Sequence, residues 1–128
     1  MHDLRLQRLD HVSLNVRDRP HSIAWYRDVL GLEPRGNTAP DDEEPVFMGE
    51  FGACVALFQA QGDVPVRPYE SAGLRHIAFA TSAAGLEEGR ARLREHGVAV
   101  RVEDHGTARS AYFADPDGNV IELTTYER

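Results

Sequence analysis

The sequence predicts an α+β fold made of two copies of one strand–helix–strand–strand–strand unit (βαβββ), and three observations predict it. Apolar and polar residues alternate over residues 9–16 and again over 74–79, the period of a strand with one face on a core. Each stretch is followed by apolar residues at helical spacing that end on a glycine, Gly31 or Gly97. The landmarks recur at a nearly constant offset: 65 residues from His11 to His76, 66 from Gly31 to Gly97 and 66 from Gly52 to Gly118. A fixed period across three landmarks marks an internal repeat.

The elements follow in order. After the first strand, Asp18 stands ahead of Pro20, a capping residue before a proline tolerated in a first helical turn, and Ile23, Tyr26, Val29 and Leu30 carry the helical spacing. Residues 32–35 are a short pairing segment. A loop is expected through Gly36, Asn37, Thr38, Ala39, Pro40 and the acidic run 41–44, then a hairpin of residues 45–48 and 53–59 around Gly49 and Gly52. The second copy repeats this, with Leu86 and Leu93 on its helix. Modules of about residues 7–60 and 72–126 result, joined by the Gly- and Pro-containing stretch 62–68. Neither module is large enough to bury its sheet face alone, so residues 1–128 are expected to form one domain.

Composition bounds the function. A chain of 128 residues with 41% hydrophobic and 27% charged residues has a globular balance. The formal charge of -7 argues against nucleic acid and anionic membrane as partners, since phosphate binding needs a basic face. The longest apolar stretch, residues 53–58, is far too short to span a bilayer, and the first five residues lack the apolar segment of a signal peptide. A cytoplasmic location is expected, and the lone Cys54 excludes an internal disulfide.

The repeat also carries chemistry. It aligns His11 with His76 and Ala56 with Glu122, so two equivalent strands offer imidazoles while one of two equivalent hairpin strands offers a carboxylate. Alternation puts Val12, Leu14, Ile77, Phe79, Ile121 and Leu123 on one face and His11, His76 and Glu122 on the other. Two nitrogens and one carboxylate, with positions left open, suit one divalent ion such as Fe(II), Mn(II), Ni(II) or Zn(II). A lone strand histidine is more often structural, and Glu122 alone would read as a solvent-facing residue; the joint pattern favours ligation, because a carboxylate inside a β-forming run is costly if buried unpaired. Ser110 and Tyr112 alternate on one strand face and are candidate catalytic residues, able to hydrogen-bond a substrate oxyanion. Arg109 is a candidate for binding an anionic substrate.

The runs Asp10-His11-Val12, 25–32 (WYRDVLGL), 76–79 (HIAF) and 112–123 (YFADPDGNVIEL) resemble the glyoxalase, bleomycin-resistance and extradiol-dioxygenase superfamily, also called vicinal oxygen chelate proteins. The last run is the most specific: a strand, a turn at Asp115-Pro116-Asp117-Gly118 and a return strand delivering Glu122. The resemblance implies a paired βαβββ fold with a cup-shaped mixed sheet, a homodimer, and a metal that binds two oxygens of a small-molecule substrate or intermediate. Ala56 stands where the similar glyoxalase I enzymes place a fourth, acidic ligand. Fosfomycin-modifying relatives share the three-ligand set, a hydroxyl residue two positions after the first histidine (Ser13, a candidate substrate contact) and the serine and tyrosine at Ser110 and Tyr112. They carry an arginine several residues after the metal glutamate, where this sequence has only Tyr126, Glu127 and Arg128 beyond Thr125. Extradiol dioxygenases have two module pairs and a further catalytic histidine, for which His96 and His105 are the loop candidates.

These readings lead to a divalent-metal-dependent enzyme, a lyase, isomerase, dioxygenase or epoxide-opening enzyme, acting on a small oxygen-rich or electrophilic substrate by bidentate coordination. The alternatives are a fosfomycin-type antibiotic-modifying enzyme and a non-catalytic, bleomycin-resistance-like binding protein. Superfamily membership alone does not choose among them.

Overall fold

The computed structural model describes residues 3–36, 44–50, 52–62, 65 and 67–128. Among the described residues ten elements follow in chain order: β1 (Val12–Val16), α1 (Arg19–Leu30), β2 (Pro34–Arg35), β3 (Val46–Glu50), β4 (Ala53–Gln59), β5 (Ile77–Ala80), α2 (Ala83–Glu95), β6 (Arg101–Asp104), β7 (Arg109–Ala114) and β8 (Val120–Thr125). They form two four-stranded mixed sheets of identical topology, β1-β4-β3-β2 and β5-β8-β7-β6. The chain divides into two compact units, Met1–Gln61 and Gly62–Arg128, each one βαβββ copy. The expected loop at 36–44 lies largely outside the described residues, as does part of the linker 62–68.

In the first unit, β1 runs parallel to β4 and β3 antiparallel to it, with Leu14 opposite Leu57 and Met48 opposite Val55. The side chains of Leu14, Val16, Val46, Met48, Val55 and Leu57 are buried and share one face, against which α1 packs. The Asp18 side chain caps α1 by accepting from the His21 N–H at 3.1 Å, and Gly31 ends the helix at φ 70°, a left-handed turn that glycine enters without steric cost. The buried stripe of α1 is Arg19, Ser22, Tyr26 and Val29, not the expected line through Ile23. Arg19 is drawn inward by bonding: its guanidinium donates to the Glu44 carbonyl at 2.7 Å and its N–H to Gln59 Oε1 at 3.2 Å.

The second unit repeats this plan. Ile77, Ala111, Phe113, Ile121 and Leu123 are buried, as are Leu86 and Leu93 of α2. The helix lies close enough that a Cβ on Gly89 would stand 2.5 Å from Leu123 Cδ1. Ser82 caps α2 through Gly85 N–H at 2.9 Å, and Gly97 follows the helix at φ 69°. Both first strands begin later than the sequence alternation implies. The ladders start at Val12 opposite Val55 and at Ile77 opposite Ile121, whereas Leu9 and Leu74 are exposed. Alternation upstream of these points has no partner strand to convert it into sheet. Each histidine therefore sits one residue ahead of its strand. Among the described residues no helix is long and apolar enough to cross a membrane.

Candidate metal centre

Sheet register lines up one row of side chains in each unit. In the first, Arg35 lies opposite Phe47, Phe47 opposite Ala56 and Ala56 opposite Ser13. In the second, the row is Arg101, Tyr112, Glu122 and Ala78. The histidines flank these rows on the same face. His11 meets the Phe47 ring edge-on at 5.2 Å, and His76 meets the Tyr112 ring at 5.7 Å and 75°. Arg35 stands 5.8 Å above Phe47 and Arg101 4.7 Å above Tyr112. The repeat thus preserves a histidine–ring–arginine stack and changes what the ring and its neighbour carry: Phe47 and Ala56 in the first unit, Tyr112 and Glu122 in the second.

Glu122 is the centre of the second unit's polar face. It is only 8% exposed, and its two oxygens are held separately: Ser110 Oγ donates to Oε2 at 2.6 Å, while His76 Nε2 lies 2.9 Å from Oε1. Ser110 is fully buried and its oxygen also lies 3.0 Å from Thr124 Oγ1. The turn that sets the β7–β8 register is tied by Asp115, whose Oδ1 accepts from the N–H groups of Asp117 and Asn119 at 2.9 and 2.8 Å. The Tyr112 hydroxyl lies 3.1 Å from His105 Nε2. Burial first, then the neighbouring Glu122 charge, raises its pKa above the ordinary phenol value, so it remains a proton donor throughout the neutral range.

Both histidines have a polar partner at Nδ1, so Nε2 is the nitrogen turned toward ligation, and in His76 it faces Glu122 Oε1. In the first unit Asp10 Oδ2 lies 2.7 Å from His11 Nδ1, and this bond is the main cause that lowers the Asp10 pKa. In the second, Tyr69 Oη lies 2.8 Å from His76 Nδ1. Partners of this kind orient ligating imidazoles. Sequence reading assigned no role to Asp10 or Tyr69. An acidic residue beside a histidine was a usable signal for the first; Tyr69 sits in a turn seven residues upstream of its target, where no periodicity points to it.

The donor chemistry at His76 and Glu122 fits a divalent cation. A neutral imidazole nitrogen and a carboxylate oxygen converge to 2.9 Å, and the carboxylate is buried in a setting that cationic charge would stabilise. Among the described residues no group of three or more His, Cys, Asp or Glu side chains that could hold a metal ion is gathered. Ser13 is exposed in β1, two residues after His11. Arg109 alternates with Ser110 and therefore shares the side of Ala111 and Phe113, not the face of Glu122 and Tyr112. It pairs in register with Asp104, and among the described residues its buried Nε has no hydrogen-bond partner.

Comparison with known proteins agrees with this architecture. The family model described as the Glyoxalase/Bleomycin resistance protein/Dioxygenase superfamily matches residues 8–123. The chain is 35% identical over 123 residues to biphenyl-2,3-diol 1,2-dioxygenase 3 of Rhodococcus globerulus, with 91% of this chain and 62% of that longer protein covered. It is 32% identical over 120 residues to glutathione transferase FosA of Serratia marcescens, covering 92% of this chain and 80% of the relative. The solved glyoxylase/bleomycin resistance protein/dioxygenase domain from Frankia sp. EAN1pec aligns with a TM-score of 0.79 at 25% identity, covering 94% of this chain and 93% of that one. The chain belongs to the glyoxalase/bleomycin resistance/dioxygenase superfamily.

Proposed function

We propose that this protein is a divalent-metal-dependent enzyme in which His76, Glu122 and His11 ligate one cation that coordinates two oxygens of a small substrate. The observation that carries the reading is the His76–Glu122 pair, with Nε2 and Oε1 at 2.9 Å and each side chain braced from behind, by Tyr69 and by Ser110. His11 is the third ligand because it is the repeat equivalent of His76 and is likewise held at Nδ1. The cation would supply Lewis acidity to the bound oxygens. Tyr112, kept protonated by burial and by the Glu122 charge, donates a hydrogen bond or a proton to the substrate beside it, and His105 links its hydroxyl to the exposed surface. Ser110 acts through Glu122, and Ser13 is the substrate contact offered by the first unit.

A binder without metal would not need the two braces on His76 and Glu122, which favours the enzymatic reading over the sequestering one. A dioxygenase and a thiol transferase among the relatives frame the chemistry as activation of a vicinal diol or an electrophilic oxygen compound. In keeping with the superfamily, the active form is proposed to be a homodimer in the cytoplasm.

The test is elemental analysis of the purified protein followed by calorimetric titration of Mn(II) and Zn(II) into wild type and Glu122→Ala. One ion per site is expected in the wild type. The variant should bind at least about 100-fold more weakly, because it loses both a ligand and the compensating charge. Equal affinities would remove the ligand assignment and the enzymatic reading built on it.

A further inference from the structure

We propose that the Tyr69 hydroxyl is the positioning group for His76, holding its ring so that Nε2 faces Glu122 whether Nε2 carries a proton or gives its lone pair to a cation. The proposal rests on His76 being a metal ligand, as argued above. Tyr69 Oη lies 2.8 Å from Nδ1, with the two rings stacked at 6.4 Å and 19°. Tyr112 meets the same His76 ring edge-on at 5.7 Å. The Arg75 guanidinium carbon stands 4.3 Å from the Tyr69 ring centroid, a cation–π contact that pins the phenol.

The turn that carries Tyr69 is built to hold it there. Ser71 N–H and Oγ both donate to the Pro68 carbonyl, at 3.0 and 2.6 Å. The Arg67 guanidinium crosses the turn to donate to the Leu74 carbonyl. It occupies the space that a Cβ on Gly73 would need, at a backbone φ of 126°. Three separate contacts thus fix a segment that has neither helix nor ladder bonds of its own.

A hydroxyl suits this position for a reason that a carboxylate does not. A contact of 2.9 Å between Nε2 and a carboxylate oxygen needs a proton between them. With that proton on Nε2, neutral His76 has an acceptor at Nδ1, and Tyr69 donates to it. When Nε2 instead gives its lone pair to a cation, its proton passes to solvent, Nδ1 takes one up, and the new Nδ1–H donates to the same phenolic oxygen. One O–H serves both tautomers because it is donor and acceptor at once, whereas a carboxylate only accepts. His11 has the carboxylate arrangement: Asp10 holds its Nδ1–H and leaves Nε2 as the lone pair. The two histidines of the repeat are therefore braced differently, His11 locked in one tautomer and His76 free to change.

Tyr69→Phe keeps the ring, the stack and the cation–π contact and removes only the oxygen, so a packing role would not register. Ring nitrogen NMR on the full chain at pH 8, with and without Zn(II), reads the His76 tautomer directly, and calorimetry reads Zn(II) affinity. In the wild type, His76 should be protonated at Nε2 without zinc and at Nδ1 with it. In Tyr69→Phe the zinc-free ring should keep its Nε2–H toward Glu122 but lose the hydrogen bond at Nδ1, moving the Nδ1 shift toward that of an unbonded ring nitrogen, and zinc affinity should fall about 10-fold, with thermal stability close to wild type. Tyr69→Leu, which also removes the stack, should lose more stability but move the Nδ1 shift no further. Unchanged His76 ring shifts and zinc affinity within twofold of wild type in Tyr69→Phe would overturn the proposal. If wild type takes up no zinc, the metal reading fails by itself, and the zinc-free ring shifts of the two proteins decide the role of Tyr69.

Discussion

Replacing Ser110 with Ala tests whether the buried carboxylate is held for ligation. Ser110 is fully buried, its Oγ lies 2.6 Å from Glu122 Oε2, and Glu122 itself is 8% exposed. A hydrogen bond to a charged group in such a setting contributes about 1.5–3 kcal/mol. Loss of one oxygen atom opens little cavity, so the hydrogen-bond contribution dominates. At roughly 4 °C per kcal/mol for a chain of this size, Tm should fall by about 6–12 °C. The carboxylate would also lose the contact that fixes its rotamer, and metal affinity should fall by about 10- to 100-fold. Urea unfolding and Mn(II) calorimetry measure the two effects separately. A variant within about 0.5 kcal/mol of wild type would show that the bond contributes little. Reduced stability with unchanged metal affinity would refute the link between this bond and the metal.

The repeat predicts that the first unit cannot be given a carboxylate by substitution at the equivalent place. Ala56→Glu puts the charge at a fully buried site beside Phe47, with Pro45 and Phe58 where the second unit has Ser110 and Thr124. Without the serine that donates to Glu122 in the second unit, the variant should lose about 3 kcal/mol or more in urea unfolding, and a loss under about 1 kcal/mol would refute the reasoning. Asp104 provides a pH test. The Arg128 guanidinium, bonded at 2.7 and 3.0 Å, and then the Gly106 N–H hold its pKa well below the ordinary carboxylate range. A carboxyl depressed in the folded state stabilises above its unfolded pKa of about 3.9 and loses that contribution as pH falls below it. The Tm gap between wild type and Asp104→Asn should therefore be constant above about pH 5 and close progressively below about pH 4. A gap that widens in acid would contradict the assignment.

The fold was legible because its punctuation repeats. Gly31 and Gly97, Gly52 and Gly118, and the two histidines are spaced alike, and in each pair the residue does the same structural work at the same point. The strand starts were read too early because alternation at Leu9 and Leu74 continues past the end of the partner strand; a ladder needs two strands, and one sequence stretch records only its own. The α1 stripe was misread for a related reason. Arg19 and Ser22 are polar yet buried, since Gln59 and the Glu44 carbonyl, far along the chain, accept from Arg19, and hydropathy spacing does not record such partners. The Ser110–Glu122 contact follows from the register of one hairpin. Once the Asp115–Gly118 turn sets Ala114 opposite Val120, Tyr112 must face Glu122 and Ser110 must face Thr124, which makes Ser110 a diagonal neighbour of the carboxylate. Tyr69 had no such count, because turns carry no register.

What distinguishes the two units is a set of four positions on one face. Pro45, Phe47, Ala56 and Phe58 in the first correspond to Ser110, Tyr112, Glu122 and Thr124 in the second, so an apolar quartet answers a polar one within the same frame. The substitutions are interdependent: a carboxylate at the position of Glu122 requires a donor at the position of Ser110, and proline there has none to give. The Tyr112 hydroxyl in turn takes its raised pKa partly from Glu122, a source of negative charge that Phe47 neither has beside it nor could use. A single change in the first unit would therefore strand a charge or a hydroxyl, whereas the second unit satisfies all four together. In the proposed ligand set the second unit contributes His76 and Glu122 and the first contributes His11, held at Nδ1 by Asp10. That division would account for the asymmetry of the proposed ligand set, two imidazoles and one carboxylate from two copies of one fold.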